Sequence, residues 1–311
     1  MTEIVQVSEL PSFTEARQND LFTVHDWLAQ DDREAFLSAH ADRIRGMTTM
    51  GMAGADRDLI ARFPKLEIIS CFAVGVDAVD LDYCQANGIA VTNTPDVLTD
   101  CVADMAFALA IGGLRRVVEG DRYIRAGRWQ SEGLLALGGA LKGRTLGIVG
   151  MGRIGEALAH RARAFGMRIA YHNRSPKPVE AEYHADPVAL AAASDVLALT
   201  CPGGPETRHL VNRAVLEALG PAGYLVNVSR GSVVDEPALV RALQAGTIAG
   251  AGLDVFEDEP DVPEALFALD NVTLSPHQGS GTVETRTAMG DLMIDNLLAW
   301  FERGETLTRV V

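Results

Sequence analysis

The chain has 311 residues, 48% of them hydrophobic and 22% charged, which is enough for two domains or one large one with ordinary packed cores. Its formal net charge of −15 argues against nucleic acid or an anionic membrane as a partner. No apolar run approaches the ~20 residues of a membrane helix, and residues 1–6 lack the basic-then-apolar pattern of a leader, so a cytoplasmic location is expected.

In chain order, strands are predicted at residues 4–7, 21–24, 44–47, 66–70 and 89–92. Helical patterns at 33–39 and 56–63 lie between them, and the alternation implies a parallel sheet wrapped by helices. Asp77 and Asp80 suit the cap of a helix near Leu81. From Thr99 to about residue 126 the spacing of Val102, Met105, Ala106, Leu109, Ala110, Leu114 and Val117 predicts one long helix. Thr99 or Asp100 would cap it and Gly127 would stop it; that length suffices to bridge two domains. After Gly143 the alternation restarts, with strands at 145–149, 168–172, 196–200, 223–228, 250–255 and 272–275. Helices are expected at 154–166, 188–193, 213–219, 236–245 and 282–303. Six strands in this half match a complete dinucleotide-binding domain. Cys71, Cys84, Cys101 and Cys201 show no C-x-x-C spacing and read as free thiols. No grouping of His, Cys and carboxylates has metal-ligand spacing, so no metal is expected.

Gly150-Met151-Gly152-Arg153-Ile154-Gly155 follows the apolar run 146–149 and opens a segment with helical spacing at Ile154, Leu158, Ala162 and Phe165. Strand, glycine turn and helix start are the context a dinucleotide fingerprint requires. Gly150 permits the tight turn, Gly152 lets a pyrophosphate approach the backbone, and Gly155 allows close packing of helix on strand. The helix N-terminus then offers N–H groups to the phosphates. The next strand ends in Asn173-Arg174-Ser175, with no carboxylate to hold the ribose hydroxyls. Arg174 can pair with a 2′-phosphate, and Asn173 or Ser175 can hydrogen-bond to it, so NADP(H) is expected over NAD(H). Arg153 is a further candidate for a phosphate.

Three segments place titratable residues just after apolar runs: 226–232 with Arg230, 252–260 with Asp254 and Glu259, and 274–280 with His277. Ligands bind beyond the carboxyl ends of parallel strands. Together with Ala73-Val74-Gly75-Val76-Asp77, Asn93-Thr94-Pro95 and the glycine run, the chain resembles the D-isomer-specific 2-hydroxyacid dehydrogenase family along almost its whole length. Asp96-Val97-Leu98-Thr99-Asp100, Cys201-Pro202, Glu206-Thr207-Arg208 and residues 279–286 resemble its glyoxylate/hydroxypyruvate and hydroxyphenylpyruvate reductases.

The resemblance implies an α/β protein of two doubly wound parallel-sheet domains, one flavodoxin-like and one Rossmann, with the active site in the cleft between them. Residues 1–95 and 282–311 would form the substrate-binding domain and residues 96–281 the dinucleotide-binding domain. It implies Arg230, Glu259 and His277 as the catalytic set. His277 would give the proton to the carbonyl oxygen during hydride transfer, with Glu259 holding the imidazole and favouring its protonated form. Arg230 would grip the substrate carboxylate and polarise the carbonyl. Backbone N–H groups of Ala73, Val74 and Gly75 would add to the substrate site. Thr99, Ile154, Cys201, Pro202, Thr207, Val228, Ser229, Asp254 and Gly279 would join the glycine loop and residues 173–175 around the cofactor. Glu257 and Asp258 read as a solvated acidic loop. The long helix and the apolar residues 134–139 would build a homodimer, although that segment could equally pack within its own subunit. The expected reaction is NADPH-dependent reduction of glyoxylate or hydroxypyruvate. Reduction of an aromatic 2-keto acid such as hydroxyphenylpyruvate, and dinucleotide sensing by a binding protein of the same fold, are the alternatives.

Overall fold

Short apolar runs bounded by turn residues form twelve strands, every one paired in parallel. The computed structural model describes residues 1–311 and divides into two units, Met1–Leu98 with Thr282–Val311, and Thr99–Gly281. The first unit contains β1 (Glu3–Gln6), β2 (Thr23–Asp26), β3 (Ile44–Met50), β4 (Ile68–Phe72) and β5 (Ala90–Thr92) in the order β2-β1-β3-β4-β5. That is the flavodoxin-like order. The second contains β6 (Thr145–Val149), β7 (Arg168–His172), β8 (Glu182–Tyr183), β9 (Val196–Leu199), β10 (Tyr224–Asn227), β11 (Gly250–Leu253) and β12 (Val272–Leu274). Its order, β12-β11-β10-β9-β6-β7-β8, reverses direction between β6 and β9, as in a doubly wound nucleotide fold.

The central strands are buried on both faces. β4, β6, β9, β10 and β11 contain no exposed position, which is why they read as unbroken apolar runs. Alternate residues serve opposite faces of the second sheet: Leu197, Leu199 and Leu225 pack into one core, and Val196, Ala198 and Val226 into the other. The edge strands β2 and β8 are partly exposed. β8 has two residues, too few for a periodic signal, and makes this a seven-stranded sheet where six strands are predicted.

Two helical expectations are corrected, and one helix was not expected. The single helix from Thr99 to about 126 is two helices, Thr99–Leu114 and Val117–Arg125, separated by Arg116 at φ 55°. Gly139 N–H caps the Leu114 carbonyl at 2.7 Å, and the Arg116 guanidinium meets both carboxylate oxygens of Glu119 at 2.6 and 2.7 Å. The break is therefore tied down on both sides. Within the second unit, the first of these helices packs on β10 and β11. A Cβ on Gly252 would lie 2.8 Å from Leu109 Cβ, and one on Gly113 would enter the Tyr224 ring. The expected helix over 56–63 is four residues, Arg57–Ile60, because Pro64 disfavours helical backbone at Phe63. A helix absent from the prediction, Ser12–Leu21, buries Thr14 and Gln18 rather than an apolar stripe. Thr14 sits against Gly290 of helix Val283–Arg303, where a Cβ would come within 2.3 Å of its hydroxyl. The two units divide after Leu98, three residues beyond the expected boundary, at the start of helix Thr99–Leu114.

Candidate active site

All strands of the second sheet run parallel, so the loops after β6, β7, β9, β10, β11 and β12 emerge at one edge. The glycine loop follows β6. Gly150 takes φ 100°, and a Cβ there would lie 2.5 Å from Cys201 N. That contact leaves room for glycine alone. Open space lies over Gly152, which begins helix Arg153–Ala164, while a Cβ on Gly155 would press within 2.5 Å of the Gly150 carbonyl. The first-turn N–H groups of a twelve-residue helix thus face a site that a phosphate can approach. Arg153 is exposed and Ile154 half-buried at its start.

The residues after β7 divide their work. Asn173 braces the glycine loop: its Oδ1 accepts the Met151 N–H at 2.7 Å. Ser175 is exposed, and so is Arg174, whose Nη1 is 2.9 Å from Glu206 Oε2. After β9, Cys201 is buried, and burial pushes its thiol up to about 11. Thr207 donates its hydroxyl to the Pro202 carbonyl at 2.8 Å and holds that turn. Thr99 is the half-buried first residue of its helix, and the Asp100 carboxylate pairs with Arg161 at 3.0 Å instead of capping the helix.

The three expected catalytic side chains belong to the loops after β10, β11 and β12. His277 Nδ1 lies 2.7 Å from Glu259 Oε2. Oε1 of the same carboxylate accepts the Phe256 N–H at 2.9 Å, so Glu259 is fixed at both oxygens. Burial raises the Glu259 pKa, but the His277 hydrogen bond, the Phe256 N–H and the charges of His277 and Arg230 outweigh it. The carboxyl is held below its ordinary value of 4.5. Arg230 folds back so that Nη1 donates to the Ser229 carbonyl at 2.9 Å, and Ser229 lies buried beside half-buried Val228.

Asp254 is 1% exposed and serves the loop that carries His277. Its Oδ1 accepts the Ser275 hydroxyl at 2.6 Å and the Gln278 N–H at 2.7 Å, and its Oδ2 accepts the Gly279 N–H at 2.7 Å. This carboxylate staples residues 275–279 together and supports His277 in a left-handed backbone at φ 52°. Such a conformation in a non-glycine residue persists only when its surroundings hold it.

The sequence missed several supports. Asn227, Gly231 and Ser275 carry no titratable signal, and their roles depend on which loops meet. A Cβ on Gly231 would lie 1.9 Å from Phe256 C, so glycine there brings the Arg230 loop onto the Glu259 loop. Glu257, expected in solvent, has an 18% exposed side chain that pairs with Arg208 at 2.7 Å and His209 at 3.1 Å.

In the first unit, Ala73, Val74 and Gly75 form the turn after β4. Thr94 N–H donates to the Ala73 carbonyl at 2.7 Å and Asn93 Nδ2 to the Val74 carbonyl at 2.8 Å. Gly51 fits closely against this turn, where a Cβ would lie 2.4 Å from Ala73 Cβ. Asp80, as expected, caps helix Leu81–Ala86 by accepting the Tyr83 N–H at 2.8 Å. The same unit also gathers Glu3, His25 and His40, whose possible ligand atoms lie within 4.8 Å of one another. Linear spacing gave no sign of this cluster. Arg43 occupies it, with Nε 3.1 Å from Glu3 Oε1 and Nη2 2.8 Å from His40 Nδ1, so it is an ion-pair network as it stands.

A nucleotide fold with a glycine loop at its switch point and a His–Glu pair at the same edge defines a two-domain dehydrogenase. Comparison with known proteins specifies which. Residues 107–279 match the NAD-binding domain of D-isomer-specific 2-hydroxyacid dehydrogenases. The hydroxyphenylpyruvate reductase of Plectranthus scutellarioides is 48% identical over 309 residues, covering 99% of this chain and 98% of the relative. A glyoxylate/hydroxypyruvate reductase of Arabidopsis thaliana is 46% identical over the same length and shares. Among solved structures, the NADPH-dependent glyoxylate/hydroxypyruvate reductase of Sinorhizobium meliloti, in complex with NADP and malonate, has a TM-score of 0.93 and 47% identity. That match covers 99% of this chain and 96% of that one. The chain belongs to the D-isomer-specific 2-hydroxyacid dehydrogenase family, and its second unit is a Rossmann-like NAD-binding domain.

Proposed function

We propose that this protein reduces a small 2-keto acid, glyoxylate or hydroxypyruvate, to the D-2-hydroxy acid with NADPH. The observation that carries the reading is the 2.7 Å pair between His277 Nδ1 and Glu259 Oε2, the Glu259 loop being packed against the Arg230 loop at Gly231. A nicotinamide cofactor, when bound, would supply the hydride for the carbonyl carbon. With Nδ1 held by Glu259, the Nε2 nitrogen of His277 faces the substrate and passes its proton to the developing alkoxide oxygen. Glu259 fixes the ring and balances the imidazolium charge. Arg230 pairs with the substrate carboxylate and polarises the carbonyl, which a planar guanidinium does better than an ammonium.

Gly150, Gly152 and Gly155, with the first-turn N–H groups of helix Arg153–Ala164, would hold the pyrophosphate of the cofactor. Arg174 takes the 2′-phosphate. Its pairing with Glu206 is no obstacle, because both side chains are largely exposed, at 88% and 75%, and such a pair is worth little in water. The NADPH dependence of the Sinorhizobium relative supports this preference. An aromatic 2-keto acid is the second reading, favoured by the 48% identity to a hydroxyphenylpyruvate reductase. Four free cysteines fit a reducing compartment, and no helix is long and apolar enough to cross a membrane; the cytoplasm is the proposed location. A homodimer built on the helix from Thr99 and the apolar segment 134–139 is proposed as well.

A panel of glyoxylate, hydroxypyruvate and hydroxyphenylpyruvate with NADPH and NADH tests the reading. The highest kcat/KM is expected with NADPH and one of the two small acids. Arg174→Ala should weaken NADPH at least ~10-fold more than NADH, as loss of a charge-assisted phosphate contact does. Preference for the aromatic acid would install the second reading. Equal loss for both cofactors would remove Arg174 from the site, and no turnover with any acid would favour a dinucleotide-sensing role.

A further inference from the structure

We infer that Asn227 is a positioning residue that sets Arg230 for the substrate, an inference resting on the assignment of Arg230 above. Asn227 ends β10 and is 1% exposed. Its Oδ1 accepts the Ser229 N–H at 3.0 Å and the Ser229 hydroxyl at 2.9 Å, and its Nδ2 donates to the Arg230 carbonyl at 3.0 Å. One buried amide therefore clamps the backbone on both sides of the Arg230 Cα. The Arg230 guanidinium returns to the Ser229 carbonyl, on the peptide between those two anchors.

The next residue locks this turn to the acid pair. Gly231 lies flat on the Phe256 peptide, with space for no Cβ, and the Phe256 N–H is the group that holds Glu259 Oε1. Asn227, Gly231 and Phe256 thus form a chain of contacts from the end of β10 to the carboxylate that orients His277.

The clamp needs an acceptor and a donor on one short side chain. Aspartate has no donor for the Arg230 carbonyl, serine is too short to span both anchors, and leucine has neither group. Removing the amide leaves buried backbone groups unpaired, and the turn relaxes toward other partners. A shift of about 1 Å in a substrate-orienting group lowers a rate by about 100-fold.

The experiment measures kcat, KM for hydroxypyruvate and NADPH affinity for Asn227→Ala and Asn227→Asp, each alone and combined with Arg230→Ala. Circular dichroism and thermal melts establish that each variant is folded. Asn227→Asp keeps the acceptor to Ser229 and replaces the donor by a carboxylate oxygen facing the Arg230 carbonyl, so it decides the matter if Asn227→Ala does not fold. The expected result is a loss of roughly 10- to 100-fold in kcat/KM, carried largely by hydroxypyruvate KM, with NADPH affinity within about threefold. In the Arg230→Ala background the same substitutions should change kcat/KM by less than about threefold, because the group they position is gone. Equal losses in both backgrounds would make Asn227 merely structural and overturn the inference, as would retention of kcat/KM within about threefold in the folded single variant. Arg230→Ala at wild-type activity would instead overturn the assignment of Arg230 itself.

Discussion

At Glu259, burial and hydrogen bonding pull in opposite directions, and hydrogen bonding wins. The depressed folded pKa has a consequence for stability with a definite sign. The contribution is present above the unfolded carboxyl value and is lost as pH falls through the lower folded value. Glu259→Gln should therefore be destabilised relative to wild type at pH 7, and the gap should close once the pH is well below 4.5, the ordinary carboxyl value. Urea unfolding at both pH values checks this; a gap that widens in acid would contradict it. The same variant should lose about 10- to 100-fold in kcat, toward the low end of what positioned proton transfer supplies. At this scale the sequence was partly legible. His277, Glu259 and Arg230 each carry a titratable group after an apolar run, and the spacing alone marks them as strand-end residues. Asp254 was visible too, yet its three hydrogen bonds within the His277 loop were not, because they link positions 21 to 25 residues apart. Asn227 and Gly231 were illegible for the same reason: an amide and a hydrogen atom acquire meaning only when the loops meet.

The helix break at Arg116 shows what element-level periodicity misses. Apolar spacing runs from Val102 through Val117 without interruption, and nothing local marks the stop except Gly112 and Gly113. The stop comes from tertiary partners, the Gly139 N–H on the Leu114 carbonyl and Tyr224 filling the space beside Gly113. Beyond the break, the arm exposes Leu134 at 88% and Leu137 at 95%, together with Val117, Ile124 and Trp129. Exposed apolar side chains clustered on one arm are the mark of an interaction surface. Light scattering is expected to give a dimer for the wild type and a monomer-enriched mixture for Leu134→Ser/Leu137→Ser; an unchanged mass would leave the arm packing within its own subunit. Helix Ser12–Leu21 failed to register because its buried face is polar. Gln18 is fully buried and donates to Gln6 Oε1, a satisfied amide that no hydropathy pattern reveals. By contrast, helix Arg213–Leu219 and strands β6 and β7 have the bounds their sequence periods predict, since caps, turns and apolar runs agree there.

For the molecule as a whole, the alternation of strand and helix gave both sheets their parallel character, and the glycine run identified which sheet binds the nucleotide. The family match covers 107–279, inside the second unit, whereas the 46% and 48% identical relatives extend over 99% of the chain. Strand order was not legible in the strand periods, which say nothing about neighbours; it came from the family resemblance, whose flavodoxin-like and Rossmann orders the two sheets have. Net charge bears on the same reading. With −15 overall, an anionic 2-keto acid would be held against the global field, which would concentrate the burden on Arg230, its proposed partner, and on backbone N–H groups. The most direct measurement of the central claim is single-turnover oxidation of bound NADPH by hydroxypyruvate in wild type and His277→Ala. The expected result is a rate lower by about 10²- to 10⁴-fold in the variant, with NADPH affinity within about threefold of wild type. Hydride transfer at the wild-type rate without the imidazole would contradict it.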